Sequence, residues 1–260
     1  MRIVHQGIFG NTARQVPALA MLVALVLCRP ASASCFMDNA DIALYQKAVS
    51  GWATGEKIAF WAGRFLDTPY DTDPLGVYVR REAIVADDRV DCMYLTFRAV
   101  ELGLSSTPEE AQEIALDRRF HERGRLEEGR VVNYAARFEY GEDMIDSGKW
   151  GNELTSSLGK TTMIKGTRGR GRVAMIAKKD LVPVLGSLRS GDLVFFVTSP
   201  QKRTANELIG HIGIIKVEAG EVYLIHASGI KNRSGAVRQV PFSEYVEAMP
   251  FIGVRISRLQ

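Results

Sequence analysis

The C-terminal third of the chain restricts its fold most. Five short runs rich in β-branched and aromatic residues, 192–198, 211–217, 221–226, 236–240 and 251–256, follow one another with turn residues between them. Runs of this length and spacing predict an antiparallel sheet. The first half reads differently. Residues 41–66 carry the apolar spacing of one or two helices broken near Gly51, and Cys92, Leu95, Phe97, Val100 and Leu102 mark a mostly buried helix that Gly103 would stop. Thr107-Pro108-Glu109-Glu110 starts another helix, running to about Arg119, with a capping hydroxyl, proline at the first position and an acid after it. Helices first and strands after predict an α+β domain with the helices on one side of the sheet.

Between these halves, about 119–185, lies a large insertion with weak patterning: a strand over 130–134, a Gly/Asp/Asn-rich stretch over 141–152, and the segment 165–179. That last segment holds Lys165, Arg168, Arg170, Arg172, Lys178 and Lys179 with three glycines. It reads either as a solvated mobile loop or as a lid attracting an anionic substrate, and the sequence leaves both open.

At 260 residues, 46% of them hydrophobic, the chain can bury one large core. Its net charge of +3 is too mild for nucleic-acid binding. Arg2 and Arg14 precede an apolar stretch over 16–28, followed by Pro30 and Ala31-Ser32-Ala33, which reads as a secretory signal over 1–33 cut after Ala33. The stretch is shorter than the roughly 20 residues of a spanning helix, so no stable membrane span is expected. A lipoprotein acylated at Cys28 or Cys35 is the lesser alternative, since Leu27 is bulky and Ser32 unusual before such cysteines. The mature chain, 34–260, would be a monomer in the periplasm or cell envelope.

An oxidising compartment would allow Cys35 and Cys92 to pair. Cys35, however, lies two residues from the new terminus, where a bridge would add little rigidity. Cys92 opens a helix, where unpaired N–H groups and the helix dipole stabilise a thiolate. Two histidines could serve it. A hairpin centred on Ala219-Gly220 sets position 211 opposite 228, so that His211 and His226 share one face as diagonal neighbours about 7–8 Å apart at the backbone. His211 would take the Cys92 proton and later protonate the leaving amine, His226 would fix its tautomer, and the Cys92 N–H would hold the oxyanion. A zinc site built from the same three residues is the competing chemistry. It lacks HExxH, CxxC or any close histidine pair, so no metal or cofactor is expected.

Thr68-Pro69-Tyr70, Asp91-Cys92, Ser190 to Phe196 (SGDLVFF), His211-Ile212-Gly213-Ile214 and His226-Ala227-Ser228 follow in order a pattern that resembles the NlpC-like, papain-fold cysteine peptidases. The long interval between Cys92 and His211 is similar to their expanded branch, described as N-acetylmuramoyl-L-alanine amidase-like. This resemblance implies hydrolysis of muropeptides, with Cys92 as nucleophile, His211 as base and His226 as third member. It also implies substrate contacts at Tyr70 and Asp91, the latter an amine clamp in related endopeptidases. An amidase offers no free amine there, which leaves the role of Asp91 open. Tyr94, where small residues are common, would narrow the peptide pocket, and substrate choice would lie in the insertion. The runner-up activity is a D-γ-glutamyl-diamino-acid endopeptidase, and the non-enzymatic alternative is a wall-binding module.

Overall fold

The computed structural model describes residues 37–203 and 206–260. The chain divides into Met1–Ala33 and Ser34–Gln260, and the second unit is the one described below. The expected signal and its cleavage point, with Cys28 and Cys35, lie outside the described residues.

The helical run 41–66 is two helices, α1 (Asn39–Ala48) and α2 (Thr54–Arg64). Next comes α3 (Cys92–Leu104), whose start is fixed by the Asp91 carboxylate accepting from the Tyr94 N–H at 2.9 Å. Thr107 caps α4 (Pro108–Arg118) in the same way, accepting from the Glu110 N–H at 3.1 Å. Gly103 does not stop α3. It lies against Ile58 of α2, where a Cβ would come within 2.8 Å of the isoleucine side chain, so its role is close helix packing. Helix α3 is buried nearly all round, charges included. Arg98 binds Asp87 at 2.8 and 3.0 Å, and Arg119 binds Glu101 at 2.6 and 2.7 Å. Such burial is tolerable only because each charge has its partner.

The sheet contains β1 (Thr162–Lys165), β2 (Arg172–Ala177), β3 (Leu193–Val197), β4 (Ile209–Glu218), β5 (Glu221–Gly229), β6 (Gly235–Pro241) and β7 (Gly253–Arg258). Its eight strands run in the order β1-β2-β7-β3-β4-β5-β6, with the short strand Asn152–Glu153 also on β7, and every pairing is antiparallel. All five strands expected from the sequence are present. Glu218 pairs with Glu221 across Ala219-Gly220, whose φ angles of 51° and 84° define the tight turn that suits the twist of a two-residue hairpin.

The helices do not all lie on one side. Helix α6 (Phe242–Ala248) and a 3-10 segment, Val182–Ser187, cover a cluster that includes Val194, Phe196, Ile215, Leu224 and Ile256. By alternation, fully buried Phe195, Ile214 and Ile225 point to the opposite face, and α2 and α3 pack against β4 and β5. Helix α5 (Gly141–Asp146) lies in the insertion and α6 between β6 and β7, and the described residues hold two single-turn helices besides, Val77–Arg80 and Thr155–Leu158.

The insertion departs most from expectation. In place of a strand over 130–134 there is a two-residue pairing of Leu126–Glu127 with Arg130–Val131, then a 3-10 turn, Tyr134–Ala136. The Asn133 side chain closes this loop by accepting from Arg125 N–H at 2.7 Å and donating to Arg123 C=O at 2.9 Å. The turn-rich stretch 141–152 begins with α5, seated on β4 with Gly141 against Ile209. The basic segment 165–179 is largely strand β2 and the turn leading into it. Arg168 binds Asp143 at 2.7 Å, and Arg170 binds Asp143 at 2.5 Å and Asp146 at 2.6 Å. Arg168 and Arg170 are therefore paired to α5, and Arg172 donates to Met163 C=O at 3.2 Å, so these arginines do not form a free basic lid.

Candidate active site

Cys92 is the first residue of α3 and a free cysteine. Its helix start faces the point where β4 and β5 part. The two strands pair only from Glu218↔Glu221 to Ile214↔Ile225, while β5 goes on pairing with β6 as far as Gly229↔Gly235. The expected opposition of 211 and 228 is thus a continuation of the register, not a formed pair. Parting frees the Ile212 N–H, which donates to the Cys92 sulfur.

Across the same gap, His211 Nε2 and His226 Nδ1 are 2.9 Å apart. The hairpin parity predicted this pairing. It leaves His211 Nδ1 as the nitrogen available to a thiol. For that nitrogen to accept a proton, Nε2 must carry the hydrogen and donate it to His226. The pair sits in an aromatic box. Phe251 stacks on His211 with centroids 6.1 Å apart and planes 5° apart, Phe196 lies 5.6 Å from His211, and Tyr245 meets the edge of His226 at 4.8 Å. Phe251, in the link before β7, and Tyr245, on α6, carried no sequence signal; only Phe196, as the register partner of His211, was within reach of a strand argument.

The electrostatics differ from those expected of a helix-start cysteine. Burial, and after it the Asp91 carboxylate, push the Cys92 thiol up to about 12, outweighing the Ile212 N–H and the Lys231 ammonium that act the other way. Burial, joined by His226, lowers His211 to about 3, and burial lowers His226 to about 4. The resting site is therefore a neutral thiol beside a neutral imidazole pair, not a ready-made thiolate. A dipole contribution of about 0.3–1 kcal/mol is smaller than the desolvation of a buried anion.

Cys92 and His211 open on one cavity of about 330 Å³, with Tyr70 and Asp91 on one wall and insertion residues Arg137 to Gly141 on another. Tyr70 is held by backbone, its N–H donating to Gly235 C=O at 2.9 Å, and its ring lies so close over Gly229 that a Cβ there would be 2.2 Å from it. Burial raises its phenol well above the ordinary tyrosine value, so it is a neutral O–H donor. Asp91 uses Oδ1 as the helix cap and Oδ2 to receive the Lys231 ammonium at 3.2 Å. Tyr94 is not a wall of the cavity. It is fully buried, its hydroxyl 2.8 Å from Asp87, because the third helical position points into the core. Met93 lines the cavity instead.

Sequence reasoning missed Lys231 and Glu207 in this cavity, and the buried Glu142 that follows its wall residue Gly141. The buried Glu142 carboxylate accepts from Leu208 N–H at 3.0 Å, Ile209 N–H at 3.2 Å and Thr167 Oγ1 at 3.0 Å, tying the insertion to the start of the histidine strand. Among the described residues no three His, Cys, Asp or Glu side chains stand together to hold a metal, and no helix is long and apolar enough to cross a membrane.

The geometry defines a cleft of an α+β fold lined by a thiol and by one imidazole, with a second, buried imidazole hydrogen-bonded behind it. No protein-family model and no curated protein matches the sequence. Solved structures do match the fold. An N-acetylmuramoyl-L-alanine amidase from Bacteroides uniformis superposes with a TM-score of 0.61 at 19% identity, over 80% of this chain and 99% of its own. Protein LPG0564 from Legionella pneumophila gives 0.64 at 15% identity, over 84% and 93%. At these identities the likeness establishes a shared fold.

Proposed function

We propose that the protein is an exported cysteine amidase of the NlpC-like, papain-fold type, cleaving the amide between N-acetylmuramic acid and L-alanine in muropeptides. The observation that carries this reading is that His211, hydrogen-bonded through Nε2 to the buried His226, lines the same cavity as Cys92. The amidase name of a structural neighbour from Bacteroides uniformis supports the choice of bond. On this reading residues 1–33 are a cleaved leader, the enzyme works as a monomer in the periplasm or cell envelope, and it needs no cofactor.

The chemistry follows from the neutral resting site. As Cys92 sulfur bonds to the lactyl carbonyl carbon, its proton passes to His211 Nδ1, and His226 steadies the imidazolium that forms. The carbonyl oxygen takes the electron pair and faces the N–H of Cys92, one of the helix-start donors unused within α3. Collapse breaks the C–N bond while His211 gives the proton to the leaving alanine nitrogen. Water then adds to the thioester, giving up its proton to His211, which returns it to the sulfur as the acid leaves.

Product masses from a purified muropeptide test this. Free N-acetylmuramic acid with an L-alanyl peptide is expected. N-acetylmuramoyl-L-alanyl-D-glutamate, with the sugar retained and a peptide beginning at the diamino acid released, would assign the endopeptidase reaction instead. Unchanged turnover by Cys92→Ala would remove the thiol mechanism, and wall binding without turnover by the parent protein would make the domain a binding module.

A further inference from the structure

The cavity has a cation of its own beside the nucleophile. Lys231 stands in the turn between β5 and β6. This turn is docked on the 71–73 loop by the Asn232 N–H donating to Thr72 C=O at 3.0 Å, with Asn232 itself at a φ of 62°. The Lys231 ammonium donates to Asp71 C=O at 3.1 Å and to Asp91 Oδ2 at 3.2 Å, and lies 5.5 Å from the centroid of the Tyr70 ring. A carbonyl, a carboxylate and an aromatic face are together the surroundings that would hold an ammonium from a ligand. Here the chain fills them itself. Both Asp91 oxygens are engaged, one by the helix cap and one by Lys231, so an incoming ammonium would have to displace an ion pair whose carboxylate side chain is only 12% exposed.

We propose that Lys231 is the specificity-determining residue of this site: it occupies the Asp91–Tyr70 corner, so that the acyl side of the scissile bond is an uncharged, oxygen-rich group and not one bearing a free ammonium. An ammonium has three N–H donors. Two are taken by Asp71 and Asp91, and the third serves an acceptor oxygen such as those of a sugar ring or its acetamido group. The proposal rests on the amidase reading for its substrate, and it explains why a carboxylate next to the nucleophile need not demand a free amine.

Binding separates it from that reading. In the Cys92→Ala background, the affinity of N-acetylmuramoyl-L-alanyl-D-isoglutamine is compared by calorimetry with that of L-alanyl-D-isoglutamine, whose amine is free. Lys231→Met should shift the ratio of the two affinities toward the free-amine dipeptide by at least tenfold, and Lys231→Arg should keep the preference of the parent. Unchanged melting temperature marks both variants as folded; if Lys231→Met does not fold, Lys231→Gln is put in its place. A ratio unmoved by loss of the charge, or a parent protein that prefers the free amine, would overturn the proposal, as would absence of binding by either ligand to every variant. Failure of the Cys92 protein to hydrolyse the muramoyl compound, with the binding preference intact, would instead overturn the amidase reading alone.

Discussion

At the scale of single residues, the site depends on groups kept neutral by burial. Unperturbed histidine titrates near 6.5, whereas His211 and His226 are lowered to about 3 and about 4. A base that stays unprotonated to lower pH keeps working there. The acid limb of kcat/KM, which reports the free enzyme, should therefore fall below pH 6.5, with apparent values belonging to the coupled pair. The sign for stability is opposite in consequence. Between the unfolded and folded values the unfolded chain binds more protons, so stability is lost as pH drops through 6.5 toward 4. Circular dichroism recorded alongside the rate separates the two, and an acid limb near 6.5 with the fold intact would contradict the buried, neutral pair. The residue scale is also where sequence reasoning was split. Cys92 and the two histidines were legible from helix start and strand parity. The thiol's protonation state was not, because it depends on burial and on Asp91 in a desolvated setting.

At the scale of elements, the hairpin of β4 and β5 sets the imidazole geometry, and its turn is a point of avoidable strain. Ala219 adopts a φ of 51°, a left-handed conformation that asparagine or glycine takes more readily than alanine. Ala219→Asn should stabilise the protein by about 0.5–1 kcal/mol with kcat unchanged, read from the urea midpoint. No gain would mean that the turn is not a tight two-residue hairpin. The register of this hairpin was readable because it needs only alternation and a two-residue turn. Its parting beyond Ile214 and Ile225 was not, since the start of α3 is what meets the freed Ile212 N–H. The insertion was misread for a related reason. Glycines and charges over 141–152 and 165–179 favour loops locally, but packing on β4 and pairing with acids of α5 override that preference.

At the scale of the whole molecule, the insertion and the sheet act as one unit joined at Glu142. Its carboxylate serves two backbone donors at the start of β4 and a hydroxyl from the turn before β2. Glu142→Gln turns an NH₂ group toward one of those donors, which should cost about 1–3 kcal/mol. Because Leu208 and Ile209 lead directly into His211, kcat should fall with it, and a melting curve measured beside the rate checks both. The sequence by itself determined the strands, the helix starts at Asp91 and Thr107, and the parity that brings the two histidines together, since those follow from rules acting over a few neighbouring residues. Only the tertiary structure decided what meets Cys92, which charges are neutralised and which groups are dry. Lys231 and Asp91, for example, are 140 residues apart, and no local preference relates residues so distant until the chain has packed.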